Sequence, residues 1–271
     1  MHNPLIRQLI ADRALLPQGW RNNVLLEWDE AGILSNVIAD AAELAPRVAA
    51  TVLPGIVNLH SHAFQRAMAG LTEYRSQGAA GCSDSFWSWR SLMYKFAGKL
   101  SATDLKAIAL QLYIEMLQAG YTSVCEFHYL HHDVGGKPYA DPAENLVCLI
   151  EAAQQAGIGL TLLPVLYQHS GFAAQAPHAG QARFINSPDW IMAALQGLQA
   201  AHPQHAGLRY GVAPHSLRAV SPHSLQTMLH QLRQWDAQAP VHIHIAEQTR
   251  EVDDCVAALG QRPVAWPVGA N

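Results

Sequence analysis

Two histidines one residue apart close an apolar run, His60 and His62 in TVLPGIVNLHSH. Side chains at i and i+2 of an extended chain point the same way, so both imidazoles can grip one ion at a strand's end. A second cluster, HIHIAEQ, holds His242, His244 and Glu247. His242 and His244 also share a face, so alternation leaves open which of them would be a third ligand. Imidazoles suit zinc, and also iron, nickel or copper. A hydrogen-bonded pair at a strand end has the same HxH spacing. It is the second His/Glu cluster that turns the balance towards a metal.

Glu247 lies three residues past His244, where it can take a proton from a metal-bound water and deliver it to a leaving nitrogen. Its plain alternative is a capping acid at the start of the last helix. His215, in GVAPHSLRAV, can hold charge as it develops on the attacked group. Otherwise it is a loop histidine satisfied by backbone carbonyls. The strand before His215 carries no lysine, so a carboxylated bridging lysine has no obvious place and one metal is favoured over two. No G-x-S-x-G elbow surrounds Ser61, Ser85 or Ser216, which argues against a serine hydrolase.

These residues need elements to position them. Apolar runs at 51–59, 122–127, 159–167, 208–213 and 241–246 have the length and near-continuous hydrophobicity of parallel strands covered by helices. Helical patterns alternate with them. One opens at Ser101 with Asp104 three residues on and stops at Gly120. A second has Asp141 as N-cap, Pro142 at the first helical position, Glu144 as capping-box partner and Gly157 as terminator. Others open at Ser187-Pro188 and Ser221-Pro222, and a last one spans TREVDDCVAALG. The result is about five βα units.

An open doubly wound sheet and a (β/α)8 barrel share this pattern. The polar residues follow the first, second, fourth and fifth strands, and only a barrel brings strand ends that far apart in order to one mouth. The first βα turn lacks GxGxxG, so a dinucleotide fold has no positive support. The fold class is α/β, a partial (β/α)8 TIM-barrel type. Residues 1–51 form a small β domain, expected as part of a β-sandwich, with two strands around Gly32 in NVLLEWDEAGILSNV. Residues 52–271 form the incomplete barrel.

Composition agrees. Half of the 271 residues are hydrophobic, only 14% are charged, and the net charge is -4. No basic block suits nucleic acid or an anionic membrane surface. Cys82, Cys125, Cys148 and Cys255 are widely spaced with no CxxC, as expected for buried thiols in a reducing compartment. The N-terminus has no signal-peptide pattern and no run reaches membrane-spanning length, so a cytoplasmic location is expected.

LPGIVNLHSHAFQR, FWSWR, FHYLHH, GVAPHSLRAV and HIHIAEQ together resemble the amidohydrolase superfamily, and within it the N-formimino-L-glutamate deiminases of histidine degradation. The resemblance implies one divalent metal, zinc, bound by His60, His62 and His244. It implies Glu247 as the proton shuttle, His215 beside substrate and bound hydroxide, and substrate contacts at Gln65, Arg90, Tyr129 and Arg218. The implied reaction is hydrolysis of N-formimino-L-glutamate to N-formyl-L-glutamate and ammonia. Two arginines suit a substrate with two carboxylates, because the guanidinium fork matches a carboxylate. Each has an alternative as a surface ion-pair residue, and FWSW is either pocket wall or core. A homo-oligomer is compatible with the pattern.

The resemblance also implies a metal-contacting aspartate and a further histidine on later strands, and no residue before Asn271 can be assigned to either. Five strands do not close an eight-stranded barrel, so a truncated chain with an exposed sheet edge is expected. The competing expectations are an inactive metal-binding fragment of such an enzyme and a related aromatic-base deaminase.

Overall fold

The structure is a computed structural model and describes residues 7–42, 47–72 and 86–266. Cys82 and Ser85 lie outside them. Two compact units make up the chain, Met1–Ile56 and Val57–Asn271.

In the first unit β1 (Gln8–Leu16), β2 (Gly19–Trp28), β3 (Leu34–Ile38) and β4 (Arg47–Val52) form one sheet in the order β3-β2-β1-β4. β2 and β3 are the hairpin expected around Gly32. Leu25 pairs with Ile38 and Glu27 with Asn36. The Asp29 carboxylate accepts from the Ala31 and Ile33 N–H groups at 2.9 Å each, and Gly32 takes φ +78°. That angle suits a residue without Cβ. β4 instead runs parallel to β1. Ala11, Ala14 and Val24 make the small core. The described residues of this unit form one sheet, so the N-terminal segment expected as part of a β-sandwich is here a single β-sheet segment.

The second unit contains β5 (Ile56–Ser61), α1 (Phe86–Ala97), α2 (Ala102–Gln118), β6 (Tyr121–His128), α3 (Glu144–Ala156), β7 (Gly159–Leu166), α4 (Pro188–Ala201), β8 (Leu208–Tyr210), β9 (Ala213–Pro214), α5 (Pro222–Trp235) and α6 (Thr249–Leu259). Its sheet has the order β5-β6-β7-β8, and β9 also pairs with β7. The β6–β7, β7–β8 and β7–β9 ladders are parallel. Helices cover this sheet, and its core runs through Leu105, Tyr113, Phe127, Leu149, Leu162, Leu195 and Met228. Cys125, Cys148 and Cys255 are buried free thiols. No helix among the described residues is long and apolar enough to cross a membrane.

Three elements depart from their expected form. The run 51–59 is two strands in different sheets, β4 and β5, broken around Pro54. Proline has no N–H to give a ladder. The run 208–213 is broken between β8 and β9 at Gly211, where a Cβ would fall onto the Pro240 carbonyl oxygen and the Leu163 side chain. The run 241–246 is held through single contacts rather than a full ladder. Val212 N–H donates to Pro240 O at 3.1 Å, His242 N–H to Val212 O at 3.1 Å, and His244 N–H to His215 O at 3.0 Å.

The helix caps follow the sequence with one exception. Ser101 and Asp104 form a reciprocal capping box at α2. Ser187 and Ser221 cap α4 and α5, each followed by proline. Gly157 ends α3 at φ +84°. Asp141 does not cap α3. Its carboxylate accepts from Ala143 N–H at 2.8 Å and closes a turn one step earlier, so the helix starts at Glu144.

Sheet curvature decides between open and barrel-type architecture. The segment at 241–244 lies four strand positions from β5. At about 4.8 Å per step a flat sheet would separate their ends by about 19 Å. His60 and His244 nevertheless touch at 3.1 Å. The strands must curl so that first and fifth face each other, which is the geometry of a barrel mouth.

Candidate active site

The first strand delivers its histidines through a sharp change of direction. β5 ends at Ser61, and residues 63–68 form a 3-10 turn closed by Gln65 N–H on His62 O at 2.9 Å. A bidentate ion pair from Arg66 to Glu115, at 2.7 and 2.9 Å, ties this turn to α2. The turn aims His62 inward, where its Nδ1 stands 2.8 Å from the Phe127 carbonyl oxygen. A carbonyl only accepts, so Nδ1 carries the proton of the neutral ring and Nε2 is left with a lone pair.

That lone pair faces two other imidazoles. His60 Nε2 lies 3.1 Å from His62 Nε2 and 3.1 Å from His244 Nε2. The three donor atoms all fall within 4.8 Å of one another. A neutral His60 Nε2 has either one proton or one lone pair, so it cannot make a good hydrogen bond to both neighbours at once. A cation at 2.0–2.1 Å from three tetrahedral nitrogens would set them about 3.3 Å apart, close to the spacing found. The donor set therefore fits a small divalent metal better than it fits a set of hydrogen bonds. Burial reinforces this by disfavouring imidazolium. It lowers the pKa of His62 to about 3 and that of His244 to about 4, with their neighbouring histidines adding to the shift. His60 is lowered too, again first by desolvation. Neutral rings keep their lone pairs available. His242, the alternative left open by alternation, stays outside this cluster.

The cluster forms one wall of a cavity of about 300 Å³. All nine residues singled out in the sequence line it: His60, His62, Gln65, Arg90, Tyr129, His215, Arg218, His244 and Glu247. Gln65 Nε2 donates to the Tyr129 hydroxyl at 2.9 Å. His215 packs between Tyr167 and His244, with ring centroids 4.6 and 5.0 Å away. Desolvation and then His244 push its pKa well below the usual value, so it is a neutral hydrogen-bonding group. Partial burial raises the Glu247 carboxyl while Arg218 and Arg90 oppose the shift. A raised carboxyl is better matched to accepting and returning a proton.

Four lining residues escaped the sequence reading. Phe86, Trp89, Arg90, Met93 and Tyr94 recur at i, i+3, i+4, i+7 and i+8, so a single stripe of α1 faces the cavity. Extending the FWSWR pattern by one turn would have found Met93 and Tyr94. Tyr167 follows the third strand, the one strand end to which no site residue was assigned. Phe184 packs on Tyr129 at 5.0 Å and has no sequence signal of its own. One further acid was missed. Glu126, on β6, is fully buried and accepts from Ala63 N–H at 2.6 Å, directly behind the His62 turn.

Residues 51–265 match the Amidohydrolase family. The chain is 52% identical over 259 residues to formimidoylglutamate deiminase of Pseudomonas aeruginosa, covering 95% of this chain and 55% of that protein. A crystal structure of an amidohydrolase from Brucella melitensis superposes with a TM-score of 0.88 at 46% identity, over 98% of this chain and 57% of that one. An atrazine chlorohydrolase from Arthrobacter aurescens, solved with zinc and atraton, shares the fold at a TM-score of 0.72 and 19% identity, over 97% and 58% of the two chains. The chain thus spans just over half the length of these relatives. With a histidine cluster at a curled parallel sheet and a family match over four-fifths of its length, the chain belongs to the amidohydrolase family and is closely related to formimidoylglutamate deiminase.

Proposed function

We propose that the protein hydrolyses N-formimino-L-glutamate to N-formyl-L-glutamate and ammonia, with one zinc held by His60, His62 and His244. The observation that carries this reading is the sharing of one cavity by three converging imidazoles and two arginines. A substrate with an amidine-like head and two carboxylates needs both. The Pseudomonas aeruginosa relative, a formimidoylglutamate deiminase, supports the same substrate.

When bound, zinc would supply Lewis acidity and lower the pKa of water at the cluster. The chain's own residues do the rest. Glu247 accepts a proton from the attacking water and returns it to the departing nitrogen. His215, kept neutral by burial, hydrogen-bonds the formimino group and steadies charge that develops there. Arg90 and Arg218 each grip a carboxylate, and the Gln65–Tyr129 pair orients the polar head. The aromatic stripe of α1 limits water in the cavity. One water is consumed, the carbon–nitrogen double bond becomes a carbonyl, and ammonia leaves.

Ammonia release by the zinc-loaded, full-length protein tests this. Glu247→Gln should keep its zinc and lose about 10²–10⁴-fold in rate. Arg90→Ala and Arg218→Ala should raise KM for the dicarboxylate substrate. An aromatic-base deaminase would leave KM unchanged in both. A protein that holds zinc and releases no ammonia from N-formimino-L-glutamate would sink the proposal.

A further inference from the structure

We propose that Glu126 is a positioning residue for the metal centre, fixing the peptide bond that follows His62 so that its imidazole meets those of His60 and His244. This rests on the reading that the three histidines hold a cation.

β6 grips His62 at two points with two consecutive residues. The Phe127 carbonyl oxygen takes the ring proton at Nδ1, 2.8 Å away. Glu126, one residue earlier, takes the backbone: its Oε1 accepts from Ala63 N–H at 2.6 Å. That N–H belongs to the same planar peptide unit as the His62 carbonyl, which accepts from Gln65 N–H at 2.9 Å. The unit is therefore pinned at both ends, and its plane cannot rotate without breaking one bond or the other. The bond at Nδ1 alone would restrain the ring and leave the backbone that carries it able to pivot. His62 needs the second restraint. Its φ of −126° and ψ of 83° place it in neither strand nor helix, at the corner between β5 and the 3-10 turn.

Alternation along β6 gives the two residues separate sides. Phe127 packs its ring on His62 and His244, at centroid distances of 5.2 and 4.2 Å. Glu126 points to the other face, where the Tyr113 hydroxyl of α2 donates to its Oε2 at 3.3 Å. It is fully buried and does not line the cavity. Glu126 thus touches neither a cation at the cluster nor a substrate, and it acts on the site through Ala63 N–H. Burying a carboxyl is costly. An apolar side chain of similar size would avoid that cost, but it would leave Ala63 N–H unpaired and the turn free to relax.

Titration of the metal-free, full-length protein with zinc against a competing chelator tests the idea. Glu126→Leu cannot accept a hydrogen bond and should raise the zinc Kd by about 10–100-fold, the usual effect of losing a group that orients a metal ligand. Glu126→Gln, whose amide oxygen can face Ala63 N–H, should restore the wild-type Kd. Leu195→Ala, which opens the buried core at α4, should lower stability in denaturation and leave the Kd unchanged. A Glu126→Leu protein whose Kd rises by less than about tenfold overturns the inference. So does a Glu126→Gln protein as weak as Glu126→Leu, or an equal loss in Leu195→Ala, which would mean that zinc affinity merely follows stability. Should Glu126→Leu fail to fold, Glu126→Asp draws the carboxyl back by one methylene and is read instead. A raised Kd is expected there, and a wild-type Kd overturns the inference. Failure of the wild-type protein itself to bind zinc overturns this inference together with the metal reading. Unchanged variants of a wild type that does bind overturn the inference alone.

Discussion

Glu126 sits fully buried behind the end of β5, where its carboxyl accepts from Ala63 N–H at 2.6 Å and from the Tyr113 hydroxyl at 3.3 Å. Burial nevertheless dominates these bonds and raises its pKa from 4.5 to about 7. The folded state therefore holds a proton that the unfolded chain has lost between about pH 4.5 and 7. The stability from this group is full below that window and is lost as pH rises through 7, by about 3 kcal/mol across it. Glu126→Gln can keep the geometry, since its oxygen can face Ala63 N–H while the hydroxyl of Tyr113 rotates to accept. Metal-free Glu126→Gln should melt above wild type at pH 8, and the gap should shrink towards pH 5. A gap independent of pH in thermal melts would contradict this. Glu126 was hidden in the sequence because TSVCEF reads as an apolar strand, and nothing local says which neighbour a lone acid will meet. His60, by contrast, was legible from two-residue spacing. His60→Ala should lower bound zinc, measured by metal analysis, below about a tenth of an equivalent, because it removes the nitrogen between the other two.

At the scale of elements, Gly211 carries a consequence for the site. It separates β8 from β9, and its backbone approaches Pro240 so closely that a Cβ would displace the segment leading to His244. Gly211→Ala should destabilise the fold by about 1–3 kcal/mol, the usual cost of overpacking. It should also weaken zinc binding, although Gly211 touches no ligand. Equilibrium denaturation and a zinc titration of the same variant check both effects. Unchanged zinc affinity with lowered stability would show that His244 is held independently of this approach. The elements themselves were largely readable. Serine caps and terminal glycines set the helix ends through local hydrogen bonds, and the structure keeps them at Ser101, Gly157, Ser187 and Ser221. The strands were less readable at their ends. Whether a ladder continues depends on a partner strand, and Gly211 interrupts its own because of its approach to Pro240 and Leu163, whereas the break around Pro54 follows from the missing proline N–H.

For the molecule as a whole, the histidine cluster links β5 to a residue 184 positions away in sequence. A metal there closes the first strand onto the fifth and binds only when both are folded. Zinc at a hundred times its Kd should therefore add about 2.7 kcal/mol to stability, and chelation should lower Tm correspondingly. Melts with and without chelator measure it, and an unchanged Tm would mean that no metal is held in the folded state. The family resemblance supplied the substrate contacts at Gln65, Arg90, Tyr129 and Arg218, whereas spacing along the chain was enough for the alternating strands and helices, the capped helix starts, and the candidate polar cluster of His60, His62, His215, His242 or His244, and Glu247. Each of the latter rests on covalent geometry and spacing within a few residues, which act whatever the rest of the chain does. Folding in three dimensions was needed to bring His244, which spacing left level with His242 and the resemblance favoured, against His60, to seat the His62 proton on Nδ1, and to gather Glu126, Tyr94 and Tyr167 around the site. Those outcomes depend on sheet curvature and on partners far away in the chain, and no local pattern encodes which buried groups such a curl will bring face to face.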